Sequence, residues 1–222
     1  MVYLFHKEAG KPQLTLLGDE HRYIFKVRRH KANDTLYLRN LEDGLLHRYH
    51  IAAIDKQSVF LVLQESQIHE VQAKSPLHIG WCVIDPKNIE KVLPSLNEMG
   101  VERITFIYCK RSQKSFTLDF KRLEKILLNS SQQSGRSTMM RLETADTLQA
   151  FLSQNPHSYL LNFSKEKLSS TLSIDTIVVG CEGGLSEGET ALFEAHKVIG
   201  LDTPLVLKSE SAVCAVAAKL LL

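Results

Sequence analysis

At 222 residues, the chain is long enough for one large domain or two small ones, and its 44% hydrophobic content supplies a proper core. With 23% charged residues, 11 Gly and 6 Pro, it is neither a disordered nor a collagen-like sequence. Its net charge of +2 conceals a segregation: five Lys/Arg and no acid from Arg22 to Lys31, nine Lys/Arg against three acids from Gly100 to Arg141, and five Lys against ten acids beyond. Two basic stretches fit a polyanion-binding surface as well as they fit solvated faces of ordinary elements. No apolar run approaches the length of a membrane span, and no signal-type apolar core follows His6-Lys7-Glu8, so the expected location is the cytoplasm.

The first seventy residues read as short strands with turns between them. Leu14-Thr15-Leu16-Leu17 precedes Gly18-Asp19, Leu36-Tyr37-Leu38 precedes Glu42-Asp43-Gly44, and Arg48-Tyr49-His50-Ile51 and Val59-Phe60-Leu61-Val62-Leu63 follow. Such spacing predicts a small barrel or sandwich. Asp19 to His30 is the exception, a helical turn carrying basic residues.

From Glu70 to Pro76 the pattern changes, which predicts a boundary between a first domain over 1–70 and a second over 73–222. Strands then alternate with helices, the mark of an α/β layer architecture. Leu77 to Val83 reads as a buried strand. Asp85 suits a helix N-cap, Pro86 the first helical position and Gly100 the C-cap, with Ile89, Val92, Leu93, Leu96 and Met99 at helical spacing. Arg103 to Tyr108 is the next strand, and Phe120, Leu123, Ile126 and Leu127 mark a helix reaching toward Gln133. Tyr159 to Phe163, Thr176 to Gly180, Val198 to Leu201 and Leu205 to Leu207 read as strand material. Ser186 and Glu189 form a capping-box pattern, and Ser209, a plausible N-cap, opens a terminal helix. The cysteines Cys82, Cys109, Cys181 and Cys214 stand singly, arguing against a disulfide framework or zinc site, and no histidine has metal-ligand spacing.

Three segments could carry chemistry. Gly180-Cys181-Glu182-Gly183-Gly184 lies between a strand and a capped helix, where glycines let the backbone approach a ligand. It is neither a dinucleotide fingerprint nor a P-loop, and by spacing alone a plain strand-to-helix turn is the better reading. Leu205 to Ala212 runs into the last helix with Glu210 in its first turn, which capping alone would explain. Gln133-Ser134-Gly135-Arg136 ends a basic helix, and one arginine there serves as a surface cation or a phosphate clamp.

Together these segments resemble the RsmE family, SPOUT-class methyltransferases that modify N3 of a uridine in 16S ribosomal RNA. Gly180 to Glu187 is similar to the family's Gly-Pro-Glu-Gly-Gly-Phe-Ser, and Leu207-Lys208-Ser209-Glu210-Ser211-Ala212 to its Leu-Arg-x-Glu-Thr-Ala. Asn129 to Arg136 resembles Glu-Ala-x-Glu-Gln-Ser-x-Arg. Glu98-Met99-Gly100-Val101 and Lys110-Arg111-Ser112 match Glu-Leu-Gly-Val and Glu-Arg-Ser, and His21, Val27-Arg28-Arg29 and Asp34 match the family's start. The chain departs from the pattern at its apolar start (Met1 to Phe5), at Leu205 and Lys208 in place of arginines, at Cys181 in place of Pro and at Thr203 in place of Gly.

The resemblance implies a PUA-like β-barrel that helps hold RNA, followed by an α/β-knot (SPOUT, trefoil-knot) methyltransferase domain. It implies S-adenosylmethionine as cofactor, held by Leu161, Asn162, Phe163, Gly180, Glu182, Gly183, Gly184, Ile199, Gly200, Leu201, Leu205, Leu207, Ser209 and Ala212. A cation would offset the charge left on uracil when N3–H is lost: Arg136 is the first candidate and Arg111 the second, with Gln133 to orient the base and Glu210 as proton acceptor or mere cap. His21, Arg22, Lys26, Arg28, Arg29 and Lys31 would contact RNA. The implied partners are 16S rRNA or the small ribosomal subunit and a second copy of the chain, with no metal and no membrane. A sibling SPOUT activity (ribose 2′-O-methylation or a tRNA target) and a non-catalytic RNA-binding module are the alternatives.

Overall fold

Period-2 burial organises the first part of the chain: along Gln13–Leu17, Leu14 and Leu16 face inward and the other three outward. In a computed structural model, which describes residues 2–113, 115–169 and 171–222, the chain forms two compact units. Met1 of the apolar start and Lys114 of the basic stretch lie outside the described residues. The first unit takes in the residues through Gln72 together with Ser131–Thr138. Its strands are β1 (Leu4–Phe5), β2 (Gln13–Leu17), β3 (Thr35–Arg39), β4 (Leu45–Ile54) and β5 (Ser58–Ile68), arranged in the order β1-β3-β4-β5-β2. Only β1 runs parallel to its neighbour. Two register shifts between β4 and β5 add local bend and twist, and the concave face buries Leu16, Leu38, Tyr49, Ile51, Val59 and Leu61. Between β2 and β3, helix α1 (Gly18–Arg22) runs straight into a π-helical turn, Tyr23–Val27.

Residues 131–138, which the linear reading assigned to the second domain, group instead with this unit. Hydrogen bonds explain it. The Val2 N–H donates to the Gln132 carbonyl (2.8 Å), the Phe5 N–H to Gln132 Oε1 (2.8 Å), and the Tyr3 hydroxyl to the Arg136 carbonyl (2.8 Å). Tyr3 is buried, which pushes its phenol up to about 12.

The second unit is a six-stranded parallel sheet in the order β11-β9-β10-β6-β7-β8. Its strands are β6 (His78–Cys82), β7 (Arg103–Ile107), β8 (Arg141–Ala145), β9 (Tyr159–Leu161), β10 (Thr176–Val179) and β11 (Val198–Ile199). Strand β10 inserts between β9 and β6, so the order reverses beside β6 and creates a crevice at the carboxyl ends of the strands. Helix α2 (Pro86–Met99) starts as expected: the Asp85 carboxylate accepts the Lys87 N–H (2.9 Å), and Gly100 caps the far end. It stays continuous through Pro94 and packs with α6 (Ser209–Leu221). Helix α3 (Phe120–Ser134) follows β7. Strand β8 and helix α4 (Leu148–Gln154) have no counterpart in the sequence reading. The first is an edge strand with alternating charges, and the second buries only Leu148 and Phe151. Leu205-Val206-Leu207, read as strand material, is instead open loop, because no neighbouring edge pairs with it.

The expectation of four single thiols is also corrected. Cys82 and Cys109 are joined by a disulfide: the parallel register that sets Cys82 beside Ile107 brings the two Cα atoms to 5.9 Å. Spacing could not reveal it, since the two residues meet only through strand pairing. Cys181 and Cys214 are free.

On the sheet face under α4, His78 is buried, its Nε2 2.8 Å from the Thr105 hydroxyl, which donates in turn to Glu143 Oε2 (3.1 Å). Burial, aided by the Arg103 guanidinium, lowers the imidazole pKa from 6.5 to about 4. Between those values the unfolded chain binds the proton and the folded chain does not. Stability is therefore complete above pH 6.5 and falls as pH drops toward 4, by up to about 3 kcal/mol. Urea unfolding across this window should show the slope, and His78→Gln should remove most of it; an unchanged slope would refute the assignment.

Candidate functional site

Three irregular loops leave the carboxyl ends of β9, β10 and β11 and enclose a cavity of about 500 Å³, within the range of small-ligand sites. The loop after β9 contributes Leu161 to Ser164 and Lys167, that after β10 contributes Gly180 to Gly184, and that after β11 contributes Gly200, Leu201, Thr203 and Leu205 to Lys208. Ser209 and Ala212, from the first turn of α6, form the wall. Thirteen of the fourteen expected cofactor residues therefore line one cavity, drawn from stretches up to fifty residues apart. Ile199 is the exception, buried one residue before the rim in β11. Ser164 and Lys167 line it as well, outside every segment the sequence singled out, and so do Thr203, Val206 and Lys208, from the Leu205 to Ala212 segment and its flank.

Backbone contact builds the cavity. Gly200 N–H donates to the Glu166 carbonyl (2.8 Å), the Leu168 N–H to the Gly200 carbonyl (2.8 Å) and the Asn162 N–H to the Ile199 carbonyl (2.9 Å). A Cβ on Gly200 would stand 3.0 Å from the Ser164 carbonyl oxygen and 3.1 Å from that of Asn162. Only glycine allows the two loops to run side by side. The β10 loop reverses at Gly184 (φ 67°), whose N–H donates to the Cys181 carbonyl (2.9 Å). Cys181 is buried within this turn, and burial pushes its thiol up. It packs the loop. Residues 201–208 form no helix or strand, so their peptide groups are not committed to a ladder.

A buried relay ties the glycine loop to the core. Trp81, fully buried at the end of β6, donates its Nε1–H to Ser209 Oγ (2.9 Å), and Ser209 donates to the Gly180 carbonyl (2.5 Å). Ser209 was expected to cap α6; instead Lys208 holds the N-cap position without a side-chain cap, and the hydroxyl faces inward. The single tryptophan was the available signal, because a buried indole N–H needs a partner. The capping box is as expected: Ser186 Oγ accepts the Glu189 N–H and the Glu189 carboxylate accepts the Ser186 N–H, opening α5 (Glu187–Thr190). Glu189 also accepts the Lys110 N–H (2.8 Å), fastening the loop after β7 to α5.

Of the candidate cations, Arg111 lies against the cavity loop: its Nη1 donates to the Gly183 carbonyl (2.7 Å). Arg136 is 7% exposed, and it and the exposed Gln133 belong to the segment grouped with the first unit. Glu210 follows Ser209 in α6, and its Oε2 is buried with no hydrogen-bond partner among the described residues. In the first unit, Arg22, Lys26, Arg28, Arg29 and Lys31 are exposed as expected, whereas His21 is buried, its Nε2 3.0 Å from the Asp55 carbonyl. Among the described residues no cluster of His, Cys, Asp or Glu could hold a metal, and no helix is long and apolar enough to cross a membrane.

An RNA methyltransferase domain family matches residues 71–221, and an RNA methyltransferase PUA domain family matches residues 16–64. The chain is 36% identical over 216 residues to the ribosomal RNA small subunit methyltransferase E of Helicobacter pylori, covering 96% of each. It resembles the structure of the corresponding Neisseria gonorrhoeae protein bound to S-adenosyl methionine, with a TM-score of 0.80 at 18% identity over 98% of this chain and 95% of that one. Lpg2936 of Legionella pneumophila, solved with bound SAM, gives 0.77 at 22% identity over 98% and 94%. These likenesses establish the expected fold class, a PUA domain followed by an α/β-knot methyltransferase domain.

Ser209→Ala would leave the Trp81 N–H and the Gly180 carbonyl buried without their partner. We expect a loss of about 1–3 kcal/mol in unfolding free energy and an altered emission from Trp81. Urea titration followed by tryptophan fluorescence checks both, and wild-type behaviour would show that the relay carries no energy.

Proposed function

Since the chain belongs to the RsmE family of ribosomal RNA small subunit methyltransferases, we propose that it transfers a methyl group from S-adenosylmethionine to N3 of a uridine in 16S rRNA. The observation that carries this reading is the single cavity made by thirteen expected cofactor residues on three loops. The residues fit the cofactor: Gly200 lets the loops after β9 and β11 close into one wall, Leu161, Leu201, Leu205 and Leu207 offer apolar surface, and the segment 201–208, which joins no ladder, offers peptide donors and acceptors for a purine edge. When bound, the cofactor supplies an electrophilic methyl group on a sulfonium.

The chain's own residues do the rest. Positioning a ring nitrogen in line with that methyl group supplies much of the rate. N3–H must be lost as the new N–C bond forms, and negative charge then spreads to O2 and O4. Arg111, whose guanidinium is held at the Gly183 carbonyl of the glycine loop, would offset that charge. Arg136 stays in the proposal as the second cation and Gln133 as the group that orients the base edge. Glu210, with one oxygen unengaged, takes the proton. We assign a second copy of the chain to the cavity mouth, where Phe163 (80% exposed), Leu205 (70%) and Val206 (77%) form an apolar rim that a partner would cover. A ribosomal RNA substrate supports the cytoplasm as the place where the protein works.

Gly200→Ala should weaken S-adenosylmethionine binding at least tenfold by titration calorimetry, because backbone on both sides must move. Wild-type affinity in that variant would remove the cavity from the argument. For the reaction, nucleosides from rRNA of a deletion strain are compared by mass spectrometry with those of the parent. Loss of 3-methyluridine is expected, restored by the wild-type gene, and the methylation rate at saturating S-adenosylmethionine should fall at least a hundredfold in Arg111→Ala. Loss of a 2′-O-methyl nucleoside, or of none, would refute the assignment.

A further inference from the structure

The π-helical turn after β2 carries an arrangement that the cofactor site does not use. Phe25 is 46% exposed although aromatic, and its ring stacks on His21, with centroids 5.7 Å apart and planes 19° from parallel. His21 cannot shift easily, being buried and held 3.0 Å from the Asp55 carbonyl. His21 in α1 and Phe25 in the π-helical turn are four residues apart, a spacing that puts side chains on one helical face. Phe25 is thus a flat apolar face backed by a fixed ring and open on its outer side.

Cations flank it along the chain. Arg22, Lys26, Arg28, Arg29 and Lys31 are all exposed, with no acid between the first and the last. The Arg28 guanidinium is held 5.4 Å above the Tyr23 ring, its Nε donating to the Tyr23 hydroxyl (2.9 Å). Arg29 occupies the left-handed region (φ 58°), where glycine would be unstrained, so a charge is kept there against the backbone preference.

We infer that Phe25 is a stacking platform for an unpaired RNA base, with the flanking Arg22, Lys26, Arg28 and Arg29 on the adjoining phosphates. Flat faces interleaved with cations match single-stranded RNA, in which every base offers a π face and every linkage a negative charge. An acidic protein surface would satisfy the cations but leave the exposed ring without a matching face. The ring and the Arg28 guanidinium are preorganised, which lowers the entropic cost of ordering them on binding. The inference rests on the reading of the chain as an rRNA methyltransferase and adds a specific contact to it.

The test measures binding of deproteinised 16S rRNA over a series of salt concentrations, with S-adenosylmethionine affinity and Tm read alongside. Phe25→Ala and Phe25→Leu should each raise Kd roughly 5- to 100-fold while leaving the salt slope unchanged, and Phe25→Trp should bind like the parent. Lys26→Gln should instead weaken binding and reduce the salt slope by about 0.7. All four variants should keep cofactor affinity and Tm. A Kd for Phe25→Leu within twofold of the parent overturns the platform, as does failure of Phe25→Trp to restore binding. Loss seen only with intact ribosomal subunits and never with deproteinised rRNA also overturns it, since that places a protein against the ring. If the parent protein neither binds nor methylates rRNA, the functional reading fails. If the parent does both and Phe25 is indifferent, only the platform fails.

Discussion

Any side chain at position 200 would crowd the backbone of residues 162–164. A Cβ there would meet two carbonyl oxygens and an amide nitrogen within 3.1 Å, and peptide backbone on both sides leaves nothing flexible to yield. The consequence reaches through the second unit. With those loops locked edge to edge by the Gly200, Leu168 and Asn162 hydrogen bonds, the cavity at the carboxyl ends of β9, β10 and β11 has two of its walls fixed. Its third wall depends on a different contact, the Ser209 hydroxyl that grips the Gly180 carbonyl.

That hydroxyl links the core of the sheet to the wall of the cavity. Trp81 belongs to the sheet's core by every measure of burial, yet its one polar atom points at the residue that holds the glycine loop. A buried donor left unpaired costs more than the hydrogen bond itself contributes, so the indole enforces the position of Ser209, and Ser209 that of the loop. Arg111 acts from the other side through the Gly183 carbonyl, and Glu189 draws the neighbouring segment in through the Lys110 amide. The glycine loop is supple in composition but held at several points. Such restraint suits a site whose chemistry is an in-line displacement and gains chiefly from positioning.

Much was legible in the chain because local chemistry decided it. Asp85, Pro86 and Gly100 bound α2, Ser186 and Glu189 open α5, and alternating apolar residues mark β2 and β3; each signal acts within a few residues. The cavity residues were legible for another reason: their motifs keep family order along the chain, although on spacing alone the Gly180 to Gly184 turn carries little information. What stayed hidden was long-range. Cys82 and Cys109 meet only because β6 and β7 pair in parallel, Ser209 turns inward only because Trp81 lies there, and 131–138 joins the first unit through hydrogen bonds to Val2, Tyr3 and Phe5. Strand β8 was missed because an edge strand with charges on it has no apolar period to read.

The amino-acid order by itself determined the two-part architecture, the helix ends and the separation of basic from acidic stretches. These follow from periodicity, capping and charge, which act between neighbours in sequence. Only the tertiary structure decided that the three loops close on one cavity, that Arg111 lies at its glycine turn, and that Phe25 faces outward on a ring that faces inward. Those outcomes depend on which strand ends lie side by side, and that is settled by the pairing of segments far apart in the chain, where no local preference has influence.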